Sequence, residues 1–164
     1  MRRAYAVIAA AGVAALLSAA PAGADQVGTH KVLLPGDTPF VAGPASLPGG
    51  AEAAVLYGDP AKDGLFVMRL KAPKGYRIPP HTHPKAEVVS VVSGRMRLGL
   101  GPAADRASVE ELPPGAFSIM PPGVAHYAFF DEETVLQIDA MGPWSIDYVS
   151  PKDDPRNQVA PAQR

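Results

Sequence analysis

The chain contains no cysteine. Disulfides, thiolate metal sites and thiol nucleophiles are thereby excluded, so any bound metal must sit on nitrogen and oxygen. Basic runs are also missing, as is any interleaving of aromatic with basic residues. With a formal net charge of −1, the chain offers no electrostatic footprint for nucleic acid. No apolar stretch matches the roughly 20 residues of a comfortable membrane span. Amphipathic helical periodicity is absent beyond the first two dozen residues.

Glycine and proline, in contrast, are plentiful, at 16 and 19 of 164 residues. The length suits one domain rather than two, and 47% hydrophobic content supports a real core. Dense punctuation favours many short strands and tight turns. Lys31–Leu34 reads as a short lead-in strand, and Pro35-Gly36-Asp37 as a turn. Further strands are expected at Ala53–Tyr57, Leu65–Leu70, Val88–Val92, Met96–Leu100, Ser108–Leu112, Phe117–Met120, Ala125–Phe130, Thr134–Ala140 and Ser145–Val149. Such a series argues for an all-β sandwich or barrel.

The first 24 residues read as an export signal. Arg2 and Arg3 precede the apolar stretch Val7–Ala20, and Ala22-Gly23-Ala24 offers small residues for cleavage. The arginine pair is compatible with a twin-arginine route. Cleavage would place Asp25 at the new N-terminus of a periplasmic or secreted protein, with no membrane attachment. It removes two of the 15 basic residues and none of the 16 acidic ones, leaving a net charge of −3. The expected organisation is therefore a signal peptide at 1–24, a lead-in at 25–50, the barrel at 51–149 and a flexible polar tail at 150–164.

Of the four histidines, His30 lies in the lead-in and reads as a surface residue. The other three cluster in two Gly/Pro-framed segments. His81 and His83 are two apart, so on a strand both rings face one way. Pro84 then bends the chain, and hairpin pairing is expected to bring Glu87 beside the two rings. His126 follows a Pro-Pro-Gly turn on a more distant strand. A lone histidine in such a setting is ordinarily a hydrogen-bonded core residue. The pair, a nearby carboxylate and a distant third histidine instead compose an N3O ligand set. It suits one divalent transition metal (Mn, Fe, Co, Ni, Cu or Zn), leaves positions open for water or substrate, and suits Mg or Ca poorly.

Both segments resemble the two signature motifs of the cupin superfamily. Gly75, His81, His83, Glu87 and Gly94 fill every position of G-x5-H-x-H-x3-E-x6-G. Gly115, Pro121, Gly123 and His126 fill the second, G-x5-P-x-G-x2-H-x3-N, whose final Asn is here Phe130. The resemblance implies a double-stranded β-helix (jelly-roll) barrel with His81, His83, Glu87 and His126 as metal ligands inside its mouth. It also implies that Phe130 points inward with His126 and Ala128. Tyr57-Gly58-Asp59-Pro60 and Met141-Gly142-Pro143-Trp144 are further similar to small exported single-domain cupins.

Cupins include enzymes, sugar-binding modules and storage proteins, so the site must decide function. Met96, Met120, Phe130 and Trp144 are expected to make a dry pocket for an aromatic or enolic molecule. This favours a metal-dependent enzyme on a small organic substrate, dioxygenase-like oxidative cleavage first among its reactions. Glu87 would then be a ligand that doubles as base, or a permanent ligand without a proton role. Asp139 would be a second base if it faces inward, though an outward partner is the better reading. Tyr76 and Arg77 read as a solvated loop at the mouth. The alternative is a metal-bearing binding or sensing module without turnover, because no general acid or partnered nucleophile is evident. Some cupins related to regulators of oxidative-stress responses bind zinc in this way. Covering an exposed sheet edge gives a reason to expect a homodimer.

Overall fold

Alternation of apolar and polar residues organises the longest strands. The computed structural model describes residues 30–158; the signal segment lies outside them. Here β1 is Val41–Ala42, β2 Glu52–Tyr57, β3 Gly64–Ala72, β4 Arg77–Thr82, β5 Glu87–Ser93 and β6 Met96–Leu100. They are followed by β7 Val109–Leu112, β8 Phe117–Met120, β9 His126–Phe129, β10 Thr134–Gly142 and β11 Asp147–Tyr148. From Leu33 onward the described chain is one unit.

β3 and β10 pair antiparallel over their whole length, Gly64 opposite Gly142 and Ala72 opposite Thr134. Both bury every second residue: Phe66, Met68, Leu70 and Ala72 on one, Leu136, Ile138 and Ala140 on the other. This pair is the middle of a sheet ordered β1-β2-β3-β10-β5-β8. A second sheet, ordered β11-β4-β9-β6-β7, contributes Ile78, Met96, Leu112 and Ala128 to the same core. Two antiparallel sheets packed over one interior form the jelly-roll barrel that the sequence led us to expect. β7 and β8 are the last strands of their sheets and are not paired to each other.

Several local expectations differ. Lys31–Leu34 forms no strand, and Pro35–Asp37 is a short 3-10 helix rather than a simple turn. Val32 and Leu34 are exposed, so their shared phase buries no apolar face. β4 contains Pro79 and Pro80, which cannot donate to a ladder; its pairing with β9 shifts register between Ile78 and His81. Within the segment read as a tail, residues 150–158 hold a turn and a 3-10 helix, Pro155–Asn157. Arg156 donates to the Ile146 carbonyl at 2.9 Å and pairs with Asp154, tying this segment to the barrel.

The turn between β5 and β6 depends on Gly94. Its φ is +72°, and a Cβ there would stand 2.3 Å from the Glu133 carbonyl oxygen. Gly94→Ala therefore faces both backbone strain and a clash with main chain. We expect it to lower unfolding free energy by about 2 kcal/mol or more in urea denaturation.

Candidate metal centre

The strands bring His81, His83 and His126 to one point inside the barrel. His81, one residue before the end of β4, stands opposite His126, the first residue of β9, and their ring centroids are 4.2 Å apart. His83, just past β4, lies 4.9 Å from the His81 ring and 5.2 Å from the His126 ring. One nitrogen from each ring lies within 4.8 Å of the others, and all three residues are buried.

The hydrogen bonds fix which nitrogens face inward. His81 Nδ1 meets the Pro79 carbonyl at 2.7 Å, His83 Nδ1 the Ser145 carbonyl at 2.7 Å, and His126 Nδ1 the Val124 carbonyl at 3.0 Å. A carbonyl only accepts, so each Nδ1 carries a proton, and in the neutral ring each Nε2 presents a lone pair. His83 Nε2 is buried and has no hydrogen-bond partner. Leaving such an atom unpaired costs free energy, and an ion among the three rings would remove that cost.

Glu87 opens β5 in the opposite sheet. The expected hairpin between the His81/His83 strand and the Glu87 strand does not form. Pro84 instead carries the chain across from one sheet to the other, and Glu87 faces the histidines from across the interior. Its Oε2 lies 3.4 Å from His83 Nε2 and 3.9 Å from His126 Nε2. Two donors bonded at about 2.1 Å to one ion stand about 3.0–3.4 Å apart at right or tetrahedral angles. The Glu87–His83 separation meets this, the Glu87–His126 separation is longer, and the donor atoms that all lie within 4.8 Å of one another are those of the three histidines. Its Oε1 accepts the Trp144 indole N–H at 3.2 Å. Trp144 also stacks on His83, with centroids 5.2 Å apart and planes 21° from parallel. Trp144 thus orients both a carboxylate and an imidazole.

The cavity at this point is walled by apolar side chains, among them Met96, Met120, Ile138 and Ile146. Phe130 is not among its lining residues. It is buried beyond the end of β9 against Tyr76, with ring centroids 6.0 Å apart. Tyr76 is no solvated mouth residue either: it is 7% exposed and donates its hydroxyl to the Pro48 carbonyl at 2.6 Å. Arg77 is exposed, as is His30. Asp139 lies on the outer face of β10, where the Gln137 amide donates to it, and not in the cavity. Sequence reasoning missed Tyr148, whose ring lies 6.0 Å from His81 and whose hydroxyl donates to the Ser46 carbonyl. It missed Ser118 on the cavity wall as well. Tyr148 lies outside both motifs, and Ser118 fills an unspecified position of the second.

Residues 30–145 match the family described as the ChrR Cupin-like domain. The chain belongs to this cupin family. A curated relative, germin-like protein subfamily 3 member 1 of Arabidopsis thaliana, is 42% identical over 66 residues, or 39% of this chain. The match spans only 31% of that relative's length. Among solved structures, the polyketide cyclase RemF from Streptomyces resistomycificus superposes with a TM-score of 0.62 at 23% identity, covering 77% of this cupin and 89% of that chain. An acetylacetone dioxygenase from Acinetobacter johnsonii gives 0.57 at 16% identity, covering 75% and 80%. At these identities the likeness shows the fold.

Burial, aided by the neighbouring His126 ring, pushes His81 down to about 3 from an ordinary 6.5, and burial lowers His126 too. Burial also opposes charge on His83, but the Glu87 carboxylate outweighs it and holds that group above its ordinary value. For His81 the unfolded chain binds more protons than the folded one between about 6.5 and 3. Its contribution to stability is therefore full above 6.5 and is lost as pH falls towards 3. In ion-free protein, His81→Gln should flatten the stability–pH slope in this window, by up to about 1.4 kcal/mol per pH unit, in urea titrations at stepped pH.

Proposed function

We propose that this cupin is a metal-dependent enzyme acting on a small organic molecule, with oxidative cleavage of the dioxygenase type the first reaction to test. The observation that carries the reading is the set of three inward Nε2 atoms, each fixed by a carbonyl on its Nδ1, in an apolar cavity. The donor set, three imidazoles and a carboxylate, fits Mn, Fe, Co, Ni, Cu or Zn. A bound ion would supply Lewis acidity and open coordination positions for substrate oxygens, O2 or water. Glu87 would serve as fourth ligand and as the base that takes a proton from the substrate, its Oε1 steadied by Trp144. The apolar wall would exclude bulk water and strengthen each electrostatic contact inside. The solved acetylacetone dioxygenase with this fold supports the choice of reaction class by analogy.

A second reading, a binding or sensing module without turnover, is favoured by one observation. The cavity leaves only about 40 Å³ for water-sized occupants, far below the few hundred Å³ of an ordinary ligand pocket.

Trp144 is the only tryptophan, and its ring lies against a ligand ring. Titrating the protein with Co(II) should quench tryptophan emission with a one-to-one endpoint, whereas Zn(II) should bind without comparable quenching. His126→Ala should weaken Co(II) binding by about 10- to 100-fold or more, since loss even of an outer-shell partner typically costs that much. Metal-loaded protein incubated with catechols, flavonols and β-diketones under O2 should consume at least one of them. Tight capture with no turnover for any metal would favour the second reading.

We further propose export, with Arg2-Arg3, Val7–Ala20 and Ala22-Gly23-Ala24 as the signal. Intact-mass measurement of protein recovered from the export compartment should give a chain starting at Asp25. Pairing of two copies is supported by exposed Val92 and Phe117 on the outer face of β5 and β8.

A further inference from the structure

The cavity around the histidines has room for an ion and a water or two, not for the body of an organic molecule. Under the enzyme reading, on which this inference rests, that body must lie in an adjoining space. Two grooves share walls with the cavity.

The first, of about 370 Å³, runs beside Val41, Ser46, Pro60 and Ala61 and meets the cavity only at Trp144. Trp144 is held from four sides. Its N–H donates to Glu87, its ring stacks on His83, its edge meets Phe66 at 6.1 Å, and its backbone N–H donates to the Pro60 carbonyl at 2.8 Å. Swinging the ring aside there would break the three side-chain contacts and release the Glu87 carboxylate.

The second groove, of about 400 Å³, follows the seam between the free margins of the two sheets, with β6 and β7 on one side and β8 on the other. It shares three wall residues with the cavity: Leu98, Ser118 and Met120. No backbone ladder closes the seam. Met120 is an unbranched, adaptable side chain. Leu98 is only partly buried, and the Ser118 hydroxyl makes no hydrogen bond among the described residues. The outer rim carries apolar Leu100 beside Ser108 and the exposed carboxylate of Glu110.

We propose that this seam is the organic-ligand subsite of the ion centre. The ligand is a small neutral or cationic molecule with a pair of chelating oxygens. Those oxygens pass Met120 towards the histidines, the carbon frame lies on Leu98 and Leu100, and a hydroxyl or ammonium group faces Ser108, Ser118 and Glu110. Glu110 disfavours an anionic tail.

The test uses full-length protein loaded with Co(II) and two catechols that differ only in the tail, one bearing an aminoethyl group and one a carboxylate. Binding is read from the cobalt visible spectrum. In the unaltered protein the aminoethyl catechol should bind more tightly. Glu110→Lys should shift the affinity ratio about tenfold towards the carboxylate, with Co(II) uptake unchanged. Ser118→Phe should slow association of both catechols by about tenfold or more, whereas Ala61→Phe, in the other groove, should leave it within about twofold. An unchanged ratio in Glu110→Lys, slowing in Ala61→Phe alone, or no spectral response to either catechol would overturn the seam while leaving the ion centre standing. Failure of the unaltered protein to take up cobalt would overturn both.

Discussion

Three buried imidazoles impose the constraint on which the rest of this structure depends. Each ring has two nitrogens, and neither can be left unpaired inside a protein without cost. The chain satisfies the Nδ1 atoms with backbone carbonyls, from Pro79 and Val124 two residues before their histidines and from Ser145 on a distant loop. The Nε2 atoms are then directed at one another in a buried interior, where only His83, facing the Glu87 carboxylate, has its protonated form favoured. Burial keeps His81 and His126 neutral, and neutral imidazole is the form that binds metal. An ion held by the three Nε2 atoms would resolve what the fold leaves open.

The barrel supports this arrangement through parts that look incidental in isolation. The Pro79-Pro80 irregularity in β4 turns the Pro79 carbonyl onto His81, while the Pro80 carbonyl accepts from Val149. The change of sheet at Pro84 sets Glu87 across the interior from the histidines instead of alongside them, which is why one carboxylate can approach two rings at once. Trp144 then spans the two sheets, bonded to Glu87 from one and stacked on His83 from the other. Rigid supports of this kind hold ligands within the narrow tolerances of a metal site.

Much of this was legible in the sequence because the informative features are local. Strands such as Met96–Leu100 and Phe117–Met120 follow directly from alternation and Gly/Pro boundaries. The i, i+2 spacing of His81 and His83 is enough by itself to give their rings a common direction. What was not legible depends on the partner of each strand. β4 was obscured by its two prolines, because a proline-bearing strand reads as a loop until its bulge is visible. A short His-to-Glu connection suggests a hairpin, but whether two strands pair or part to different sheets is a tertiary decision. Phe130 keeps the inward phase of His126, yet it lies past the end of β9, against Tyr76 and away from the cavity. Tyr148 lies outside both motifs and Ser118 at an unspecified position of the second, so only packing reveals them at the site.

We propose that the three histidines and Glu87 share one ion. X-ray absorption at the edge of a metal loaded at one equivalent per chain tests this most directly. The account predicts three imidazole shells at about 2.0–2.2 Å, recognised by multiple scattering from the rings, with one or more oxygens at similar distance. A spectrum of oxygen scatterers alone, or of a single imidazole, would place the ion elsewhere and contradict the account.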